Sequence, residues 1–355
     1  MTQAISNLAV GAKVKFGNYK VESEALAPLI WKVADKNHSG YPANSVSLIT
    51  ESIIDLLGFD AKEPTNTDTN RQTYGNNRYS VSNVDQFLND SGLSWWSATH
   101  AYDATPNDAG MSQPTGYADK QGFKSYFTAD EIAAVLDTTI RVVKNKVTDG
   151  GSYEDIVRKF YLPGTTEVGL ANENGIASGS ILSLFAAATD ACRIAYATQA
   201  VITNTLSASK PASTTAGWNY WLRDPSSGYS YSARSVDTSG ALGGGGAYNG
   251  SSGVRPLCNL KSDILVSDTV DADGCYQTIF TLPYVITLDK PITLTAGTAL
   301  SKLKFTPQIN GVDMALKEMD SEKIIYTKAA IGSTDVTLKI SGTDAKIDKV
   351  AYTVS

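Results

Sequence analysis

WNYWLRDPSSGYSYSARSVDTSGALGGGGAYNGSSGVRPLCNL, residues 218–260, begins with two tryptophans and an Arg-Asp pair and closes on GVRP before an apolar segment. Its first residues have strand composition and stop at Pro225, and an apolar pattern resumes at Val254. Between them, Ser226–Ser252 contains 8 Ser, 7 Gly, 3 Tyr and 3 Ala. The pattern predicts a low-complexity loop held between two strands.

This loop has two interpretations. A run of Gly and Ser is typical of a flexible linker, because both residues leave the backbone free. A run that also carries tyrosines is typical of a binding surface, since Tyr gives a large rigid contact area while Ser, Gly and Asn give adaptable hydrogen bonds. Linkers rarely connect a strand with two tryptophans to one with an Arg-Pro turn. We therefore favour the binding surface.

The composition of the whole chain limits the class of protein. Its 355 residues are 42% hydrophobic and 19% charged, with a net charge of −6. This composition supports a folded core, as one large domain or two smaller ones. No long basic run occurs, so we expect no nucleic-acid partner. The chain lacks a signal-peptide pattern and any apolar run of about 18 residues, so we expect synthesis in the cytoplasm and no membrane insertion.

Short apolar runs predict a strand-rich beginning. Alternation around Val14–Phe16 and Ile30–Val33 indicates a hairpin or a pair of strands, and Val46–Ile49 continues the strand signal. Glu51–Leu57 is predicted as the beginning of a short helix. Farther along, Phe160–Leu162 has the composition of another strand.

Two helix starts follow from capping signals. Ser82 precedes a short amphipathic pattern and is expected to cap it. Thr128 and Glu131 form a capping box, which predicts a helix over about Ala129–Asp137. The segment between the two, about Ser97–Gln121, is rich in Asp, Asn, Pro and Gly and is expected to be irregular surface structure.

The composition changes again after about Lys290. No Trp or Cys follows Cys275, and short alternating runs such as VTLKI and KVAYTV fill the C-terminal part. We therefore predict a display domain over residues 1–290. Residues 291–355 are predicted as a small all-β, immunoglobulin-like domain for attachment or oligomerisation.

Residues 218–260 resemble the C-terminal signature of the C-type-lectin-fold variable proteins of phages and prophages, many of which are targets of diversity-generating retroelements. In that family a WWLR strand precedes a Ser- and Tyr-rich run, an Asn-rich turn and a closing GVRP strand. The chain departs from the family at Gly243–Gly246, where relatives often carry asparagines. Further similar segments extend the resemblance over about residues 8–280; they are KFGNYKV, LIWKVADKNHSGYPANSVSLIT, YGNNRYSVSN, FTADEIAAVLDTT and TTEVGLANENGI.

The resemblance implies an α+β chain with a C-type lectin fold, that is, small antiparallel sheets, two flanking helices and a loop-supported face. It implies a virion protein on the head or tail surface of a phage, an adhesin that binds a bacterial surface receptor, whether protein or glycan. The protein is expected to be a homo-oligomer, with a trimer implied by the family, and its C-terminal domain to contact other virion proteins. The alternative is a structural virion protein without a receptor role.

The predicted site has two parts. Residues of the loop are expected to contact the ligand; they are Tyr229, Ser230, Tyr231, Ser232, Ser235, Asp237, Ser239, Tyr248, Asn249 and Ser251. A fixed scaffold is expected to hold this loop; it consists of Trp218, Trp221, Arg223, Val254 and Arg255. The two arginines are expected to pair with Asp224 or with carbonyl groups at the base of the loop.

No catalytic, cofactor or metal site is predicted. Cys258 lies near the expected face but has no neighbouring His or second Cys, so we expect no enzyme. The sugar-binding motifs Glu-Pro-Asn and Trp-Asn-Asp of calcium-dependent lectins do not occur in the C-terminal region. Calcium could use Asp237, or Asp271 with Asp273, but a DxDG run is more typical of a turn.

Overall fold

A computed structural model describes residues 2–22, 24–93 and 95–280, together with the backbone of seven strands between residues 284 and 354. The chain splits into two compact units, Gln3–Thr278 and Ile279–Ser355, the second of which also takes in Met1–Thr2. Small sheets and a few short helices make the chain α+β, which confirms the predicted structural class. The predicted domain boundary at residues 290–291 lies outside the described residues.

The first unit contains short helices and many short strands. The helices are α1 (Thr69–Tyr74), α2 (Asn83–Asn89), α3 (Ala129–Ala134), α4 (Asp190–Arg193) and α5 (Gln199–Asn204). The strands are β1 (Thr2–Ala4), β2 (Lys13–Tyr19), β3 (Ala27–Lys36), β4 (Ser45–Thr50), β5 (Asp55–Leu56), β6 (Ser91–Gly92), β7 (Gly122–Phe123), β8 (Thr138–Val143), β9 (Tyr153–Arg158), β10 (Phe160–Tyr161), β11 (Ala195–Tyr196), β12 (Gly217–Trp218), β13 (Tyr220–Pro225), β14 (Ser232–Val236), β15 (Leu242–Gly246), β16 (Gly253–Val254), β17 (Leu257–Lys261), β18 (Leu265–Ser267) and β19 (Cys275–Ile279).

The described part of the second unit consists of strands. They are β20 (Tyr284–Thr287), β21 (Lys304–Ile309), β22 (Val312–Asp313), β23 (Lys317–Glu318), β24 (Lys323–Tyr326), β25 (Val336–Ser341) and β26 (Tyr352–Val354). Strand β20 pairs with β24 and β26, and β21 pairs with β22, β23 and β25, all antiparallel.

Two sheets organise the first unit. The larger has eight strands in the order β1-β18-β19-β2-β3-β4-β17-β10, and the smaller has five in the order β15-β14-β13-β16-β5. The predicted hairpin at the beginning of the chain is confirmed, with Val14 opposite Trp31, and the predicted strand over Val46–Ile49 lies within β4. Buried aromatic rings pack beneath the larger sheet; they include Phe16, Trp31, Phe123, Phe127 and Phe160.

Both predicted helix caps are confirmed. The Ser82 hydroxyl accepts the amide N–H of Asp85 at 3.3 Å, and Thr128 and Glu131 bond each other's backbone N–H groups in a capping box. Helix α3 ends at Ala134 and not at Asp137, because the following residues bond to β17: the Leu136 N–H donates to the Asn259 carbonyl at 2.8 Å.

The predicted helix over Glu51–Leu57 is wrong. Ile53 forms a parallel bridge with Ala197, and β5 pairs with β16. Strand partners from distant parts of the chain therefore override the local pattern.

The predicted loop over Ser226–Ser252 is also corrected, because most of it is a β-hairpin. Strands β14 and β15 pair without a register shift, and β14 pairs with β13. The four consecutive glycines, Gly243–Gly246, thus lie in a strand at the edge of the smaller sheet.

The Asp-Ala-Asp-Gly segment forms a turn held by a lysine. The Asp271 carboxylate accepts the backbone N–H groups of Asp273 and Cys275, and the Lys15 ammonium lies 2.7 Å from Asp271 Oδ2 and 2.5 Å from Asp273 Oδ2. The hydrogen bond from Lys15 is the main reason that the pKa of Asp271 falls to about 2. A lysine therefore supplies the positive charge at this turn.

Replacing Lys15 tests this arrangement. We expect Lys15→Met to raise the pKa of Asp271 towards its ordinary value of 3.8, as measured by NMR titration of the carboxyl carbon. A lowered folded-state pKa stabilises the fold above the unfolded pKa, and this contribution disappears as the pH falls from about 4 to about 2. In Lys13→Met, which removes one of the two lysines that pair with Glu51, the pKa of Asp271 should stay low. Equal pKa values of Asp271 in wild type and Lys15→Met would contradict the assignment.

Candidate ligand-binding surface

The hairpin formed by β14 and β15 builds one face of the smaller sheet. Strand β14 lies between β13 and β15, with Tyr220 opposite Val236 and Trp221 opposite Ser235. Trp221 is fully buried and donates its indole N–H to the Leu57 carbonyl at 2.9 Å. A Cβ placed on Gly245 would lie 3.8 Å from the Trp221 ring. Trp221 therefore packs beneath β15.

Four tyrosines meet at one end of this hairpin, and we call them the tyrosine surface: Tyr74, Tyr229, Tyr231 and Tyr248. The rings of Tyr74 and Tyr231 are 4.7 Å apart, those of Tyr229 and Tyr231 are 5.6 Å apart, and those of Tyr74 and Tyr248 are 5.6 Å apart. Tyr229 is 53% exposed, and the other three are half-buried. The Lys62 ammonium lies 5.3 Å from the centre of the Tyr248 ring.

The hydroxyl groups of the tyrosine surface are free within the described part of the chain. Tyr19 and Tyr41, by contrast, use their hydroxyl groups in the framework: the buried Tyr19 donates to Asp55, and the half-buried Tyr41 donates to Glu167. An exposed ring with a free hydroxyl offers apolar area and a polar end to a second molecule.

Side chains from elsewhere in the chain hold the tyrosine segment by its backbone. Asn77 donates from Nδ2 to the carbonyls of Tyr229 at 2.7 Å and Ser232 at 3.0 Å. Arg71 donates from Nε to the carbonyl of Ser230 at 3.1 Å. Because these bonds end on carbonyl oxygens, they do not depend on which side chains residues 229–232 carry.

Two further side chains fix Asn77 and Arg71. Asn145 donates to the Asn77 amide oxygen at 3.0 Å, and Asp149 accepts from the Arg71 guanidinium at 2.7 Å. Asn145 also bonds Asp149 at 2.6 Å, so that the four side chains form one connected network.

Arg223 is the buried anchor of β13. Its guanidinium contacts both carboxylate oxygens of Glu167, at 2.6 and 2.7 Å, and also donates to the carbonyls of Arg141, Leu162 and Ser178. Burial alone would lower the pKa of Arg223, but the attraction and hydrogen bonds of Glu167 outweigh it and raise the pKa above the ordinary range. The predicted bonds to carbonyls are confirmed, and the carboxylate partner is Glu167.

Asp224 takes a different set of partners from the predicted pairing with Arg223. Its carboxylate accepts from the Thr165 N–H, the Ser178 hydroxyl and the Asn172 amide. Burial raises the pKa of Asp224, and the nearby Arg223 only partly offsets this effect.

The rest of the predicted scaffold lies beneath or beside the hairpin. Arg255 is buried and donates to the Thr50 carbonyl at 2.9 Å, and Val254 is fully buried. Trp218 is only half-buried, and its indole N–H donates to the Ser251 carbonyl at 2.9 Å.

The predicted contact residues divide by burial. Ser230 and Ser235 are only 1% and 5% exposed, so their side chains do not face solvent, and we correct their assignment to the contact surface. In β14 the residues alternate, with Ala233 and Ser235 buried and Ser232 and Arg234 half-exposed. Successive side chains of a strand point to opposite faces, so every second residue of β14 is turned away from the exposed surface.

Several of the remaining predicted residues shape the turns. The Asp237 carboxylate accepts the N–H groups of Ser239 and Ala241, and its bonds to Ser239 lower its pKa. The Asn249 amide oxygen accepts the N–H and hydroxyl of Ser251. These four predicted residues, like Ser232, are partly or fully exposed but are also used by the hairpin itself.

Tyr74, Arg71 and Asn77 were not predicted from the sequence. Tyr74 and Asn77 lie in the segment YGNNRYSVSN, which was noted for its resemblance and for the cap residue Ser82. The sequence separation of 159 residues between Arg71 and Ser230 hides this contact from any local pattern.

In the part of the chain that the structure describes, no group of three or more His, Cys, Asp or Glu side chains is arranged to hold a metal ion. No described helix is long and apolar enough to cross a membrane. Cys258 is fully buried, and this burial raises the pKa of its thiol.

Comparison with known proteins places the chain by sequence family. A comparison with curated proteins finds no match, and a comparison with solved structures finds none either. A family model described as a domain of unknown function, DUF6273, matches residues 44–262. The match covers more than half of the chain. It contains the whole hairpin β14–β15 and the network of Arg71, Asn77, Asn145 and Asp149 that holds it. This chain therefore belongs to the DUF6273 family.

Proposed function

We propose that this protein is the receptor-binding protein of a phage virion, and that its tyrosine surface contacts a receptor on the bacterial cell. We further propose that residues 1–290 have a C-type lectin fold. The hairpin β14–β15 would then be the face whose side chains differ among the C-type-lectin-fold variable proteins. The resemblance of residues 8–280 to the C-type-lectin-fold variable proteins supports this proposal. The α+β class, with sheets that are mostly small and mostly antiparallel, is compatible with it.

One observation carries the proposal: the frame holds the tyrosine segment by its carbonyl groups and leaves the ring hydroxyls free. A surface whose function is recognition needs side chains that contribute little to folding. Tyr229 and Tyr231 meet this condition, because Asn77 and Arg71 hold their segment through main-chain atoms. Tyrosine is also among the residues that dominate binding energy at protein interfaces.

Multiple copies would strengthen a contact of this size. Four side chains form a small contact, and small interfaces bind weakly. Linking several copies raises the effective concentration of the second contact. We therefore propose a homo-oligomer, a trimer by resemblance, attached to other virion proteins through residues 291–355.

Replacing Tyr231 tests the proposal. The full-length protein is incubated with a panel of intact bacterial cells, and the amount bound is measured by flow cytometry. We expect Tyr231→Ala to weaken binding to a recognised strain by about tenfold or more. The free energy of unfolding should change by less than about 1 kcal/mol, because Tyr231 is not part of the core.

Tyr153 provides the matched control. It is 46% exposed on β9, outside the tyrosine surface, so Tyr153→Ala should bind cells as the wild type does. Equal loss of binding in both variants would contradict a specific surface. Wild-type binding by Tyr231→Ala would favour the alternative, a structural virion protein without a receptor role.

A further inference from the structure

The edge of the smaller sheet next to the tyrosine surface is open. Among the residues that the structure describes, β15 is the last strand of that sheet, and β14 is its only strand neighbour. Edge strands present unpaired backbone groups, and proteins commonly protect them with Lys, Pro or a bulge. Strand β15 reads LGGGG and pairs with β14 in unbroken register, so it has none of these protections.

The register defines which backbone groups point outwards. The Ala247 N–H donates to the Tyr231 carbonyl at 2.8 Å, and the Asp237 N–H donates to the Ala241 carbonyl at 2.9 Å. Hydrogen-bonded pairs alternate along an antiparallel ladder, so Gly243 and Gly245 bond to β14. Leu242 and Gly244 must then direct their N–H and C=O groups away from β14.

No described residue satisfies these outward groups. The Gly246 carbonyl is taken by the Asn249 N–H at 2.9 Å, whereas Leu242 and Gly244 have no partner beyond the edge within the described chain. Gly244 is exposed, and its neighbours in β15 are half-exposed. The edge therefore offers donor and acceptor groups that repeat every second residue.

We propose that this edge binds an extended, proline-free polypeptide segment of the receptor, which joins the sheet as an additional strand beside β15. The proposal rests on the proposed function and names its ligand class, a protein and not a glycan. A polypeptide strand carries N–H and C=O groups at the same two-residue repeat as the edge. Glycines present no side chains, so recognition along the edge must be made by the backbone.

The tyrosine surface is continuous with the edge and would supply specificity. A Cβ on Gly246 would lie 3.0 Å from the Tyr248 ring and 3.4 Å from the Tyr74 Cβ. A peptide lying along β15 would thus place a side chain against these rings at one end. Backbone bonds would give affinity, and an aromatic or aliphatic side chain in contact with the tyrosines would select the sequence.

The probe is a bead-displayed library of random peptides of about ten residues, screened with the full-length protein. Selected peptides are then resynthesised with N-methyl groups on alternate backbone amides. A peptide strand bonds the edge through every second amide, so one alternating set should weaken binding by about tenfold or more while the other leaves it nearly unchanged. This comparison leaves the protein unaltered. Failure to select any peptide, or equal effects of the two sets, would overturn the proposal.

A pair of variants tests the same bond from the protein side. Gly244→Pro removes the outward N–H, whereas Gly244→Ala adds a Cβ at the same position and keeps the N–H. We expect peptide binding to be lost in Gly244→Pro and kept in Gly244→Ala, with hydrogen exchange at residues 242–246 slowed by peptide in the wild type. Equal binding by the two folded variants would contradict the edge as the site. Dimerisation through β15 without peptide binding would make a second copy the occupant and overturn the proposal.

Cell binding separates this inference from the proposed function. If the receptor segment is polypeptide, protease treatment of the cells should abolish binding and periodate oxidation should not. If Tyr231→Ala loses cell binding while Gly244→Pro keeps it, the receptor-binding function stands and the added strand is wrong. If both variants bind cells as the wild type does, the proposed function itself fails.

Discussion

Replacing Glu167 by Ala should lower the free energy of unfolding by about 3–5 kcal/mol, because it leaves a buried guanidinium without its carboxylate. Arg223 and Glu167 are both fully buried, and their two contacts are 2.6 and 2.7 Å long. Glu167 also accepts from the Tyr41 hydroxyl at 2.5 Å and the Gly164 N–H at 2.9 Å. An arginine guanidinium is not deprotonated in proteins, so Arg223 stays charged in the variant and cannot escape the cost by losing its proton.

Tryptophan fluorescence during denaturant unfolding measures this loss. All five tryptophans lie between Trp31 and Trp221, so the signal reports the first unit and not residues 279–355. Glu167→Gln separates charge from shape, and we expect it to cost about 1.5–3 kcal/mol. Asp155→Ala is the control, because it breaks the exposed Arg141–Asp155 pair and should cost less than about 1 kcal/mol. Similar losses in Glu167→Ala and Asp155→Ala would show that burial does not govern this ion pair.

Replacing Trp221 by Ala should cost a similar amount, about 3–5 kcal/mol. The side chain is fully buried, its ring lies 5.7 Å from the Phe59 ring, and its N–H bonds the Leu57 carbonyl. The replacement would leave a cavity beneath β15 and an unsatisfied carbonyl. We therefore expect loss of cell binding as well as of stability, because the hairpin β14–β15 loses the side chain that packs beneath it.

Trp218→Ala is the matched control within the same segment. Trp218 is half-buried, and its indole N–H donates to the Ser251 carbonyl. Its replacement should cost clearly less than that of Trp221, about 1–2 kcal/mol. The remaining four tryptophans still report unfolding in either variant. Equal losses of unfolding free energy in Trp221→Ala and Trp218→Ala would contradict the assignment of Trp221 as the main support beneath the hairpin.

Local patterns predicted part of the fold well. Strands β2, β3 and β4 and the caps of α2 and α3 depend on neighbouring residues, so a short window contains the necessary information. The helix over Glu51–Leu57 failed because its residues pair with strands far along the chain. The loop over Ser226–Ser252 failed because Gly-rich sequences have weak strand propensity, and β14 supplies the missing partner.

The sequence by itself determined the two framing segments of the hairpin, the capped helix starts and the candidate tyrosines of residues 226–252, because each follows from nearby residue types. Only the tertiary structure decided that Glu167 neutralises Arg223, that Tyr74 joins Tyr231 and that Ser230 and Ser235 are buried. Contacts of this kind join residues that are far apart in sequence. Which side of a strand is buried depends on the partner strand and its register, and no local pattern contains that information.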